Sequence, residues 1–116
     1  MRRWMTKWAG VLGMMLSVNV QALTADEALG MAIGESDARI QALANAMAHA
    51  DDKTLAYLQA LADDAVKVAG GSVLWIKDGK AFDFIHGEAV ELPPEAEDVM
   101  LNNRLRGEID TALATL

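Results

Sequence analysis

The side chains in this chain that could do chemistry are few and far apart. His49 stands beside Asp51 and Asp52, and the only other histidine, His86, precedes Gly87. A zinc-type centre needs three or four ligands and a second shell that orients them, and one histidine with two aspartates at a turn falls short. A histidine near a helix C-terminus, followed by aspartate caps for the next helix, accounts for His49 without a metal. His86-Gly87 ends an apolar run, with no nucleophile or orienting partner spaced to make His86 a general base. Asp63-Asp64 and Glu95-Ala96-Glu97-Asp98 supply paired carboxylates. Both read as solvated surface, the second favoured by the dipole of a first helical turn. Gly70-Gly71 leads into Ser72-Val73-Leu74 rather than a Lys-Ser/Thr pair and a helix, so it is not a phosphate loop. The chain reads as non-enzymatic, with no cofactor and no metal.

What remains suits recognition. Trp75 and Phe82 are the partner-binding candidates, because aromatic residues anchor interfaces. Packing into the core is the competing use of the same rings. Asn102-Asn103-Arg104-Leu105-Arg106 contributes Asn103, Arg104 and Arg106, two of whose charges stand out on an acidic chain. These arginines pair with Glu95, Glu97 or Glu108, or they meet an acidic partner.

Those residues sit on a hairpin and on a helix start. Val73-Leu74-Trp75-Ile76 and Ala81-Phe82-Asp83-Phe84-Ile85 flank Asp78-Gly79, the residue pair of a two-residue type I′ turn. That turn predicts a β-hairpin over about residues 72–86, with Trp75 opposite Phe82 and Val73 opposite Phe84 on one face. The other face carries Leu74, Ile76 and Ala81 with only Asp83 polar. A hairpin apolar on both faces must pack against helices or a partner. Pro93-Pro94 suits a helix start, so Glu95–Val99 reads as a helical turn leading into a last helix capped by Asn102. Its stripe is Leu105, Ile109, Ala112, Leu113 and Leu116.

Upstream, three helices are expected. Thr24-Ala25-Asp26-Glu27 matches a capping box. Ser36 or Asp37 caps a second helix with the stripe Ile40, Leu43, Ala44 and Met47. A third runs from about Lys53 through Leu55, Leu58, Leu61, Ala62 and Ala65 to Gly70-Gly71, with apolar residues on helical spacing. The second and third, over Asp37–Asp64, look like one HEAT-type repeat, which cannot bury its faces alone. The expected fold is mostly α: a HEAT-like pair with N- and C-terminal helices and one inserted hairpin.

The N-terminus has the layout of a secretory signal. Arg2, Arg3 and Lys7 precede the uncharged run Ala9–Val20, and Val20-Gln21-Ala22 is a small-residue cleavage site. Residues 1–22 are read as a signal peptide cut between Ala22 and Leu23. The apolar run is shorter than the roughly 20 residues that span a bilayer. This segment holds three of the ten basic residues and none of the seventeen acidic ones. Residues 23–116 keep seven basic and seventeen acidic side chains, a formal charge of −10. So acidic a domain argues against nucleic acid and anionic membrane surfaces as partners. There is no cysteine to staple it. A domain of this size buries only about 60–65% of its unfolded surface, which favours support from a larger assembly.

Taken together, the leader, the helical pair, the hairpin around Lys77-Asp78-Gly79-Lys80, the run Gly87-Glu88-Ala89-Val90-x-Leu92-Pro93-Pro94-x-Ala96-Glu97-x-Val99 and the block Asn102–Arg106 resemble one family's signature. The chain is similar to the N-terminal extracytoplasmic region of urea-type ABC transporter permeases, relatives of the branched-chain amino acid permeases. The resemblance implies a non-catalytic, periplasmic accessory region that docks the substrate-binding protein or another ABC transporter subunit. Transport of urea or a short amide would belong to a membrane domain following Leu116, where the running helical pattern breaks off. The resemblance carries no substrate-contacting residues. A free-standing periplasmic helical-repeat adaptor is the other expectation.

Overall fold

A computed structural model describes residues 23–116, so the expected signal peptide and Ala22 lie outside the described residues. Leu23, on the far side of the expected cut, is buried. Capping chemistry sets the helix starts. Before α1 (Ala25–Ala32), the Thr24 hydroxyl accepts from the Glu27 amide at 3.2 Å, and the Glu27 carboxylate accepts from the Thr24 amide at 3.1 Å. Before α3 (Asp52–Ala62), the Asp51 carboxylate accepts from the amides of Lys53 and Thr54 at 3.0 and 3.2 Å. Before α4 (Asn103–Thr115), the Asn102 side-chain oxygen accepts from the Leu105 amide at 2.8 Å. The exception is α2 (Ser36–Met47), whose cap position is Glu35 with no side-chain hydrogen bond. Ser36 and Asp37 lie inside its first turn and serve another contact: the Ser36 hydroxyl accepts from the Asn102 amide group at 2.6 Å.

The fold is α+β, which overturns the expectation of a mostly helical domain with one hairpin. Five strands form one antiparallel sheet: β1 (Val66–Ala69), β2 (Ser72–Lys77), β3 (Lys80–Asp83), β4 (Ala89–Val90) and β5 (Glu97–Asp98), in the order β4-β3-β2-β1-β5. The expected hairpin is its centre, with Trp75 opposite Phe82 and Leu74 opposite Asp83. Asp78 and Gly79 both take positive φ, as a type I′ turn requires.

The missed strands have physical causes. Ala62 and Ala65 continue the helical spacing of α3, but the helix stops at Ala62. Asp64 adopts the left-handed conformation at φ 57°, and the Ala65 amide donates to the Ala60 carbonyl at 2.9 Å. This αL closure is tolerated by Asp better than by most residues. Val66-Lys67-Val68-Ala69 is thereby released to pair with β2, and Gly70-Gly71, both at positive φ, make a second tight hairpin turn rather than the end of a helix. Glu97-Asp98, expected in a helical turn, instead pairs with Lys67 and Val68.

The HEAT-like pair does not form either. α2 packs on α1 and α4, and α3 packs on α4, so the two expected partners are separated rather than stacked. One apolar core joins Ala28, Met31, Leu43, Ala46, Tyr57, Leu58, Leu61, Leu105 and Ile109 of the helices to Val66, Val73 and Phe84 of the sheet. Tyr57 donates its hydroxyl to the Ala28 carbonyl at 2.7 Å, and burial pushes the phenol well above its ordinary value. Arg39, also buried, donates from Nε to the Met31 carbonyl at 2.9 Å and from a terminal nitrogen to the Met100 carbonyl at 2.8 Å. It ties the end of α1 to the approach of α4. Among the described residues, no helix is long and apolar enough to cross a membrane.

Candidate functional site

Strand alternation puts Trp75 and Phe82 on the sheet face that also carries Val66, Val73 and Phe84. That face turns towards the helices. Phe84 goes deepest, its ring 5.0 Å from that of Tyr57 at 70°, an edge-to-face contact. Trp75 bridges outward, 5.7 Å from Phe84 and 6.4 Å from Phe82. The first turn of α3 does not close over this row. It leaves an open cleft of about 650 Å³ between Asp52, Lys53 and Ala56 on one side and Trp75, Lys77, Phe82, Asp83, Phe84 and Gly87 on the other. That volume falls within the roughly 300–1,000 Å³ of ordinary small-molecule ligand sites.

Trp75 and Phe82 therefore both line the open cleft, and Trp75 also packs against the core. Both are half-buried, neither sealed in the core nor free at the surface. Phe84, Lys53 and Ala56 complete the cleft. Period two from Phe82 points to Phe84, but nothing local in the sequence brings α3 to this face.

The cleft rim is charged. Lys77 holds its ammonium 5.1 Å above the Trp75 ring, a cation–π contact. The Lys53 ammonium donates to the Ile85 carbonyl at 2.7 Å. Asp83 accepts from the backbone amides of Ile85 and His86 at 2.9 and 3.0 Å, and its carboxylate lies 3.2 Å from the His86 Nδ1. Burial pushes the Asp83 carboxyl up, but the hydrogen bonds from His86 and Ile85 outweigh it and hold the group below its ordinary value. His86 thus lies in a turn that starts at Asp83 and is closed by the Gly87 amide, which donates to the Asp83 carbonyl at 2.7 Å.

The basic candidates are elsewhere. Arg104 reaches Asp37 at 2.7 Å, and Arg106 reaches Asp64 at 3.2 Å and the Ala62 carbonyl at 3.2 Å. These are internal pairs, but with Asp37 and Asp64 rather than with Glu95, Glu97 or Glu108. Arg106 lines a separate cavity with Asp64, Asp98, Val99, Met100 and Leu101. Asn103 is exposed at the start of α4. The structure does not bring Asn103, Arg104 and Arg106 together with Trp75 and Phe82. His49 contacts Glu27 at 2.8 Å, so it latches the end of α2 to the capping box of α1. Among the described residues, no three His, Asp or Glu side chains are grouped to hold a metal ion.

No family model, curated protein or solved structure matches this chain.

Proposed function

We propose that this domain is a non-catalytic docking module, exported to the periplasm as an accessory region of a urea- or short-amide-importing ABC permease. The observation that carries the docking part is the open cleft floored by Trp75, Phe82 and Phe84. Aromatic side chains left half-exposed in a preformed groove are what a partner's apolar anchor needs. The importer part rests on the resemblance at Lys77–Arg106 and the leader-like first 22 residues. The partner is the substrate-binding protein or another subunit of the same transporter.

A photo-crosslinking residue placed at Phe82, in cells that express the transporter, tests this. Crosslinks to a transporter component that disappear when Trp75 is replaced by Ala support the proposal. Crosslinks to no transporter component, with urea uptake unaffected by Trp75→Ala, reject it.

A further inference from the structure

The sheet has a second apolar face that packs apart from the helical core. Strand alternation puts Lys67, Leu74, Ile76, Ala81 and Asp83 on the side away from Val73 and Phe84. Leu74 and Ala81 are each only 4% exposed, yet among the described residues they are the buried apolar side chains that stay outside the common core. Something other than the helices shields them.

The topology names the cover. Each neighbouring pair in the order β4-β3-β2-β1-β5 is antiparallel, so β4 and β5, at the two edges, run parallel to each other. A connection between parallel strands of one sheet crosses a face of it. The helices hold the face of Val73 and Phe84, which leaves the other for residues 91–96. Four interstrand spacings of roughly 4.8 Å make about 19 Å, and the chain from Val90 to Glu97 reaches at most about 25 Å. That length permits a direct crossing and no detour round the end of the sheet. Pro93 and Ala96 are the half-buried residues of the crossing, while Glu91, Leu92, Pro94 and Glu95 are exposed.

Few ties hold this strap. β4 and β5 contain two residues each, all exposed. Within the crossing the Ala96 amide donates to the Pro93 carbonyl at 3.1 Å, and the two prolines have no amide to donate. On the β3 side the Asp83 amide donates to the Glu88 carbonyl at 2.8 Å. On the β1 side the Val99 amide donates to the Val66 carbonyl at 3.3 Å and Lys67 pairs with Asp98 at 2.6 Å. Buried Arg39 then holds the Met100 carbonyl. Such short strands are marginal unless an apolar face beside them is covered, so the edge pairs and the cover sustain each other. Segments with few buried contacts and exposed backbone open at a lower free energy than the whole domain.

We infer that residues 88–98 form a strap that opens as one unit while the central hairpin and the helices stay folded. Opening releases β4 and β5 together and bares Leu74, Ile76 and Ala81. Gly87, at φ 76°, and the Arg39-held carbonyl of Met100 are its two hinge points. The device does not depend on the docking reading, but it reaches the cleft. Ala89 of the strap pairs directly with Phe82, which lines the cleft, so opening frees the β3 edge and loosens one cleft wall.

Native-state hydrogen exchange on the whole, unaltered chain tests this. The Asp83 and Val99 amides report the two ends of the strap, and the Phe84 and Ile76 amides, which donate to Val73 and Ala65, report the hairpin. The strap amides are expected to share one opening constant within about twofold and to exchange at least about tenfold faster than the hairpin amides. Asp98→Ala cuts the Lys67 tie at one end only. It is expected to speed exchange at Asp83 and Val99 by the same factor, about two- to fivefold. Because the chain has no cysteine, Ala81→Cys places a single thiol under the strap. Its labelling by a soluble aromatic disulfide is expected to be slowed by the same opening constant and accelerated equally by Asp98→Ala.

Acceleration confined to Val99, or strap amides as slow as those of Phe84 and Ile76, overturns opening as one unit. Labelling of Ala81→Cys as fast as that of Glu91→Cys, at an exposed position, overturns the cover over the second face. Exchange in the unaltered chain decides the first point even where a variant fails to fold.

Discussion

The start of α4 and the mouth of the aromatic cleft both carry cations, but they use them differently. At α4, Arg104 and Arg106 end on Asp37 and Asp64, side chains of α2 and of the turn after α3. At the cleft, Lys53 and Lys77 end on a carbonyl and a ring face, and Lys80 faces Lys77. The first arrangement neutralises its cations within the fold. Among the described residues, the second leaves three ammonium groups without a carboxylate partner beside apolar surface, on a rim that also carries Asp52 and Asp83. A charged cluster conspicuous in sequence is therefore a poor guide to a binding face until its carboxylate partners are known.

The largest expected effect that tests this contrast comes from the cleft floor. Phe84→Ala removes a buried ring packed on Tyr57 and Trp75 and should cost roughly 3–4 kcal/mol of stability, measured by urea unfolding. A loss below about 1 kcal/mol would mean that the floor is not continuous with the core. Trp75→Ala, at a half-buried ring, should cost about 1–2 kcal/mol yet abolish crosslinking from the Phe82 position. If docking survives it, the cleft is not the binding face.

On the α4 side, Gly107 is exposed inside the helix, and a Cβ there would meet nothing within 4 Å. Gly107→Ala should stabilise by about 0.5–1 kcal/mol and leave docking unaltered. A thermal melt decides it, and an unchanged or lower Tm would count against a free helix face at α4.

Asp83 adds a pH dependence to the cleft rim. Its folded pKa lies below the ordinary carboxylate value, so its contribution to stability is present above that value, near 4, and is lost as the pH falls through the folded pKa. Asp83→Asn should remove that part of the acid limb below about pH 4 and lower stability near pH 7 by less than about 1 kcal/mol. Superimposable acid limbs for the two proteins would refute the assignment.

The smallest effect belongs to the exposed pair at α4. Arg104→Ala should change stability by no more than about 0.5 kcal/mol and docking not at all. Loss of crosslinking in this variant would reverse the comparison and move the binding face to α4.

Local chemistry written into consecutive residues was legible in the sequence. The Thr24 capping box, the Asp51 and Asn102 caps, the Asp78-Gly79 turn and the facing of Trp75 by Phe82 each need only a few neighbouring residues, and all are present in the structure. Periodicity misled at Ala62–Ala69, because alanines and valines on helical spacing do not reveal that Asp64 turns left-handed and frees a strand. It also misled at Glu97-Asp98, a two-residue strand whose only signal is its partner Lys67, thirty-one positions away. The fold class changed with those two segments and with Ala89-Val90, a third strand outside the expected hairpin, which pairs with β3.

The candidate site divides along the same line. The sequence by itself determined that Trp75 and Phe82 share a face and that the domain is strongly acidic, since register and composition are properties of the chain. Only the tertiary structure decided that α3 stands off that face to leave a cleft, that Phe84 floors it and that Lys53 joins its rim. It also decided which cations are neutralised, because ion pairing depends on which helix lies within reach rather than on which residues are adjacent in the chain.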